Sequence, residues 1–228
     1  MIVRLASYPR VLMHFERLLR ECRSGIAMVE FALVLPLFLT MVLMGLEITN
    51  YSVAHMRISQ IALMVADNAA RVRDSIDEVD VDEVMVGARI EGDGISFGTR
   101  GRVILSSLEP NGLASPNTGQ KIRWQRCYGS KNVSSTYGDE GDGNTDDELE
   151  FGMGTPTNRV AASSGSAIMF VEVVYDYQPL IAQALIGTAT TIRYSAAHVV
   201  RERDTQAITN FKAWTNTQKR VCSRYSST

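Results

Sequence analysis

The sequence predicts an α+β protein: one N-terminal transmembrane helix extending into a long amphipathic helix, then a small exported domain built on an antiparallel β-sheet. Three observations predict it. From Gly25 to Leu46 there are 22 residues with a single ionisable side chain, Glu30. Beyond that run, Ile58, Ile61, Val65, Val72, Ile76 and Val79 recur at steps compatible with one helical stripe. From about Arg89 the composition changes to glycine, serine and alternating β-formers, the pattern of short strands and turns.

The anchor comes first. Residues 1–25 carry Arg4, Arg10, Arg17, Arg20 and Arg23 against Glu16 and Glu21, a net +3, so the remainder sums to −5 within an overall charge of −2. A basic leader, an apolar run and an acidic body predict export. No Lys/Arg cluster with interleaved aromatics offers itself to a phosphate backbone, so nucleic acid is not an expected partner. At 1.5 Å per residue the apolar run makes roughly 33 Å of helix, enough to span a bilayer's hydrocarbon core. It continues through Thr40-Met41-Val42-Leu43-Met44 with no small-residue cleavage site, so residues 26–50 read as an anchor rather than a secretory signal. Pro36 is tolerable in such a helix and marks a bend. The arginines keep the leader, residues 1–25, in the cytoplasm, which sends everything after Leu46 outward.

Glu30 is the residue that needs a reason. A carboxylate inside a membrane helix costs about 2.5–3.5 kcal/mol on insertion scales at the helix centre, and less near its end. Were a peptidase to cut after Gly25, Ile26 would become a new N-terminus with Glu30 its fifth residue. The fresh amino group and the carboxylate one turn away would then neutralise each other, within a chain or between neighbours.

The stretch Arg23-Ser24-Gly25-Ile26-Ala27-Met28-Val29-Glu30-Phe31 resembles the processing site of type IV-type prepilins of the Tad (tight adherence) class. The continuation Glu30-Phe31-Ala32-Leu33-Val34-Leu35-Pro36-Leu37-Phe38-Leu39, then Gly45-Leu46-Glu47, is similar to the TadE-like pseudopilin family. Related TadG-like proteins share the anchor but often lack the glutamate, so Glu30 points to the TadE-like side. The resemblance implies cleavage by a prepilin peptidase at the site formed by Gly25, Ile26, Glu30 and Phe31. It implies subunit pairing in the membrane through Glu30, and a role as a minor pilin or pseudopilin in assembling an adhesive pilus. It also implies a bacterial inner-membrane location with the C-terminal domain in the periplasm. The expected partners are the peptidase, other pilins and pseudopilins of the system, and membrane lipid. The competing reading is an uncleaved anchor that tethers a periplasmic hydrolase or binding domain.

Past the membrane, residues 51–86 read as the amphipathic helix and 87–204 as the β-rich domain. Gly101 to Glu109 predicts a strand, and Pro110-Asn111-Gly112 with Pro116-Asn117-Thr118-Gly119 predicts turns. Gln120 to Tyr128 returns as the second half of a hairpin with a long loop. Ala167 to Tyr177 and Thr188 to Val200 supply two more strands, with a short helix over Pro179 to Ile186 stopped by Gly187. Residues 129–165 are poor in apolar side chains, and between Asp139 and Glu150 there are seven acids and no base. Asp142, Asn144 and Asp146 match the first three positions of an EF-hand, but Asp147 stands where its glycine belongs and Met153 where its final glutamate belongs. The stretch is therefore expected to be a solvated, mobile loop, with calcium as the lesser alternative. The tail, 205–228, reads as either a final helix or an extended arm.

No catalytic constellation emerges, and no cofactor is expected. His14, His55 and His198 have no ligand-like spacing, and there is no G-x-S-x-G, C-x-x-C, P-loop or H-E-x-x-H. Cys22 belongs to the leader on the reducing side. Cys127 and Cys222 both fall in the exported part, where disulfides persist, and form either one intramolecular bridge or a pair of buried or intermolecular thiols.

Overall fold

The computed structural model describes residues 24–181 and 190–227 of the chain. The basic leader with His14 and Cys22 lies outside the described residues, as does most of the short helix expected up to Ile186, with Gly187. The chain divides into two units, Met1–Thr49 and Asn50–Thr228. In the first, the described residues all belong to one helix, α1, which spans Ser24–Arg71 and so continues into the second. Leucine, methionine and alanine supply the helix propensity. Pro36 lies within it and forgoes one backbone bond. Thr40 and Thr49 donate their hydroxyls to the carbonyls of Leu37 and Gly45 at 2.8 and 2.9 Å, so neither hydroxyl needs a water partner.

In the second unit, α1 lays a face of small and β-branched residues on a sheet. Ala54, Ile58, Ile61, Ala62, Val65, Ala66 and Ala69 are all buried there. The alanines allow close approach, and the branched side chains fill the gaps between them. The sheet has four strands in the order β3-β2-β6-β7, every neighbouring pair antiparallel. They are β2 (Gly101–Pro110), β3 (Gln120–Tyr128), β6 (Ile168–Asp176) and β7 (Thr191–Val199). These are the four strands the sequence predicts, and the α+β class holds. Val103, Leu105, Trp124, Met169, Val171, Val173 and Ile192 join the helix-side core.

The amphipathic helix expected over 51–86 is not one helix. α1 ends at Arg71, a short strand β1 (Asp74–Asp77) follows, and a second helix α2 runs over Glu78–Gly92. The break has a physical cause in residues far along the chain. Arg203 donates to the carbonyls of Ala69 at 2.6 Å and Val72 at 3.2 Å, which satisfies acceptors that the end of a helix leaves open. Asp74 then takes a left-handed backbone, φ 57°, which short polar side chains tolerate better than most. Asp77 starts α2 with a capping box: its side chain accepts from the Val79 N–H, while Asp80 accepts from its own N–H. Val72, Ile76 and Val79 keep helical spacing by composition, but Ile76 reaches the core from a strand.

Further helical turns continue to Arg100, so the β-rich part begins at Gly101 rather than at residue 87. The tail is also resolved: β8 (Arg203–Thr209) pairs in parallel with β1, and the residues after it bridge to β3. The acidic stretch 129–165, expected as a mobile loop, folds back over the far face of the sheet. Leu149, Met153, Ala162, Tyr137 and Val160 pack on Leu108, Ile122, Ile168 and Phe170, and a small hairpin, β4 (Met153–Thr155) with β5 (Asn158–Val160), closes it. Its few apolar residues are enough because they sit opposite the outward-facing apolar side chains of β2, β3 and β6.

Candidate functional site

The residues singled out for processing lie at the start of α1. Among the described residues, nothing beyond the adjoining helix backbone lies within 4 Å of where a Gly25 Cβ would stand, so their packing does not require a glycine there. In a helix, glycine costs about 1 kcal/mol relative to alanine. Ile26 and Glu30 are one turn apart on the same helix face, which sets the Ile26 backbone nitrogen one turn before the carboxylate-bearing residue. Ile26 is 58% exposed and Phe31 64%. The same holds along the run, where Met28, Leu33, Leu37, Phe38 and Met41 are exposed on every side of the helix. A surface meant for water does not carry so continuous an apolar sheath. Among the described residues, α1 is the one helix long and apolar enough to cross a membrane.

The second unit, Asn50–Thr228, holds its chemistry-bearing residues in structural bonds. Arg126 on β3 makes a two-pronged pair with Glu78 at the start of α2, Nε to Oε2 at 2.9 Å and Nη2 to Oε1 at 2.6 Å. Its Nη1 donates to Glu140 at 3.0 Å and to the Gln125 carbonyl at 2.6 Å. Burial alone would lower the Arg126 pKa, but the bonds and charge of Glu78, then of Glu140, hold it above its usual value. Arg102, buried on the neighbouring strand, donates to the carbonyls of Gly129, Cys222 and Arg224 and lies under the Tyr225 ring, 4.1 Å from its centre. Next to it Cys127 and Cys222 are joined by a disulfide, their Cα atoms 4.8 Å apart. Glu172 is buried on β6, accepting from the Ser135 hydroxyl and, at 2.9 Å, from the Thr136 N–H. Burial raises its pKa, and those hydrogen bonds recover only part of the shift.

The EF-hand-like triplet does not come together as a cage. Asp142 accepts from the Asp139 N–H at 2.7 Å, and Asp146 from the Glu148 N–H at 3.1 Å, so both carboxylates close local turns. Asn144 gives its backbone N–H to the Gly141 carbonyl. Among the described residues no group of three or more His, Cys, Asp or Glu is placed to hold a metal ion. His55 packs edge-on against Tyr51, and His198 stands 3.8 Å from Asp67. Sequence reasoning did not find the Glu78–Arg126 pair. The two residues are 48 positions apart and carry no motif.

Residues 25–71 match the model of a family described as TadE-like protein, from Gly25 to the last residue of α1. No curated protein and no solved structure matches the chain. The chain therefore carries a TadE-like segment, and that segment is the helix whose first residues hold the candidate processing site.

Proposed function

We propose that this protein is a pseudopilin-like component in the assembly of a Tad-type adhesive pilus, cut by a prepilin peptidase between Gly25 and Ile26. The observation that carries the reading is where the TadE-like match begins: at Gly25, five residues ahead of Glu30, at the basic edge of an apolar helix. A glycine that packing does not require fits a peptidase that admits no side chain before the scissile bond. A carboxylate one turn into the mature helix fits pairing with the new amino terminus, in the same chain or a neighbour. The leader's arginines orient the anchor with the folded unit in the periplasm of the inner membrane, and the Cys127–Cys222 bridge suits that oxidising compartment. Other pilins and pseudopilins of the system are the partners that follow.

The experiment is the mature N-terminus, read by mass spectrometry from cells that also express the peptidase. The expected start is Ile26, and Gly25→Val is expected to leave the full-length chain in the membrane. A wild-type chain that keeps its leader would overturn processing and favour a domain on an uncleaved tether.

A further inference from the structure

We propose that the turn after β6, around Leu180, docks on the headgroup layer of the bilayer that α1 enters, so that the second unit rests on a lipid surface. The proposal rests on the reading of α1 as a membrane anchor and goes beyond it.

Chain length from the apolar run sets the depth. The run ends at Leu46, and Asn50 stands four residues on, about 6 Å along a helix. The headgroup layer on either side of a roughly 30 Å hydrocarbon core is about 5–8 Å thick. Asn50 and Tyr51 therefore fall at its depth, and what touches them shares it. Asn50 donates from Nδ2 to the Tyr177 hydroxyl at 2.7 Å, and the Tyr51 and Tyr177 rings meet edge-on, 5.0 Å between centres. Three residues beyond Tyr177, Leu180 lines one cleft with Asn50, Ala54, Ile95 and Arg100. Its side chain is 70% exposed. Tyrosine suits the membrane–water interface, where the ring lies among lipid and the hydroxyl keeps a polar partner. Arg100, exposed in the same cleft, is a cation on a long apolar stem, suited to headgroup phosphate.

Composition favours lipid over water as the occupant. Between Asp176 and Arg193 the sequence has no charged side chain, the longest such stretch after Glu47. Turns that face water are usually rich in Asp, Asn, Ser and Gly. The other end of the unit, by contrast, is charged. There Arg71 ends α1, the Arg201 N–H reaches the Ala70 carbonyl, and Arg73 pairs with Glu202 at 3.6 Å in the open. Asn50 and Arg71 lie roughly 32 Å apart along α1. The unit thus has a charged end suited to water and an uncharged turn beside the residues that leave the bilayer.

The test uses the full-length chain with Cys22→Ser, its Cys127–Cys222 bridge left oxidised, in nanodiscs of phosphatidylethanolamine and phosphatidylglycerol. A nitroxide label is placed on Leu180→Cys, Phe211→Cys or Phe38→Cys. Its collisions with oxygen, which concentrates in lipid, are compared with those of a water-soluble nickel chelate. Phe211 is the control: it is 79% exposed, and its N–H is held by Asp77 beyond the charged end of α1. The Leu180→Cys label is expected to collide several-fold less with the chelate than the Phe211→Cys label, and more with oxygen. Equal chelate access at the two positions would overturn the docking. So would a Leu180→Cys label shielded from both relaxants, which marks a protein neighbour instead of lipid. Phe38→Cys separates this proposal from the anchor reading. Shielding from the chelate there leaves the anchor standing whatever Leu180→Cys shows, and access there overturns anchor and docking together.

Discussion

Removing Glu78 should destabilise the folded unit Asn50–Thr228 more than removing any exposed charge on it. The Glu78 side chain is 2% exposed and that of Arg126 7%, so the pair is buried on both sides. Three of the guanidinium's bonds to acids are made at 2.6, 2.9 and 3.0 Å, and two of those three go to Glu78. In Glu78→Ala the remaining acid is Glu140, whose side chain is 51% exposed and screened by water. Stripping one partner from a buried pair leaves an uncompensated charge and costs about 3–5 kcal/mol. For a unit of this size that corresponds to a fall of roughly 6–20 °C in Tm. Glu78 also lies in the first turn of α2, where an acid adds about 0.3–1 kcal/mol against the helix dipole.

The assay is urea unfolding of the full chain in detergent micelles, followed by the emission of the buried Trp124. The double variant Glu78→Leu with Arg126→Met removes both charges together. It should lose clearly less than either single variant, because the charges it leaves behind, Glu140 and Lys219, both reach solvent. A loss below about 1 kcal/mol for Glu78→Ala, the range of exposed pairs, would refute the burial argument. So would a double variant whose loss equals the sum of the singles.

Three further outcomes are expected. Glu172 has its carboxyl pKa raised by burial, so the folded state holds a proton that the unfolded state releases. The penalty is absent below the unfolded carboxyl range, near pH 4, and grows as pH rises through the folded value. Glu172→Gln should therefore gain stability relative to wild type between pH 4 and 7 in paired urea titrations, and a flat difference would remove the assigned cause. Cys222→Ser opens a loop whose ends are 95 residues apart in sequence, and should cost up to about 4.6 kcal/mol on the chain-entropy account. The same unfolding assay reads that loss, and wild-type stability would show that Arg102 and the tail's bridges to β3 hold it unaided. Glu30→Leu should insert in the membrane at least as well as wild type but fail to support piliation in a strain lacking the wild-type copy. Normal piliation would end the pairing role given to Glu30.

The parts of this fold legible in the sequence are those coded by neighbours. The four strands of the main sheet follow from local β-formers and turn residues, and the apolar helix from composition alone. What stayed hidden depends on residues distant in sequence. Whether the helical stripe continues past Arg71 is decided by Arg203, which arrives from β8 to occupy the carbonyls of Ala69 and Val72. Nothing in the spacing of Val72, Ile76 and Val79 records that. The acidic stretch looked solvated because its composition is polar, yet its scattered apolar residues meet a second apolar face of the sheet. Alternating burial would have marked that face, but β2 and β6 are buried almost throughout, on both faces of the sheet.

The same contrast separates charges that serve the fold from those that serve something else. Arg126 and Asp77 each find several partners inside the domain, and those partners offset the burial of their charges. Packing therefore explains them without any appeal to activity. Gly25 and Glu30 are of the opposite kind. The glycine weakens a helix in which any small side chain would fit, and the carboxylate raises the cost of placing that helix in lipid. Each residue opposes the stability of the element it occupies, and the two are set five positions apart at its basic end. The proposed cleavage after Gly25 would account for both at once: it would use the absent side chain and supply an amino group one turn from Glu30.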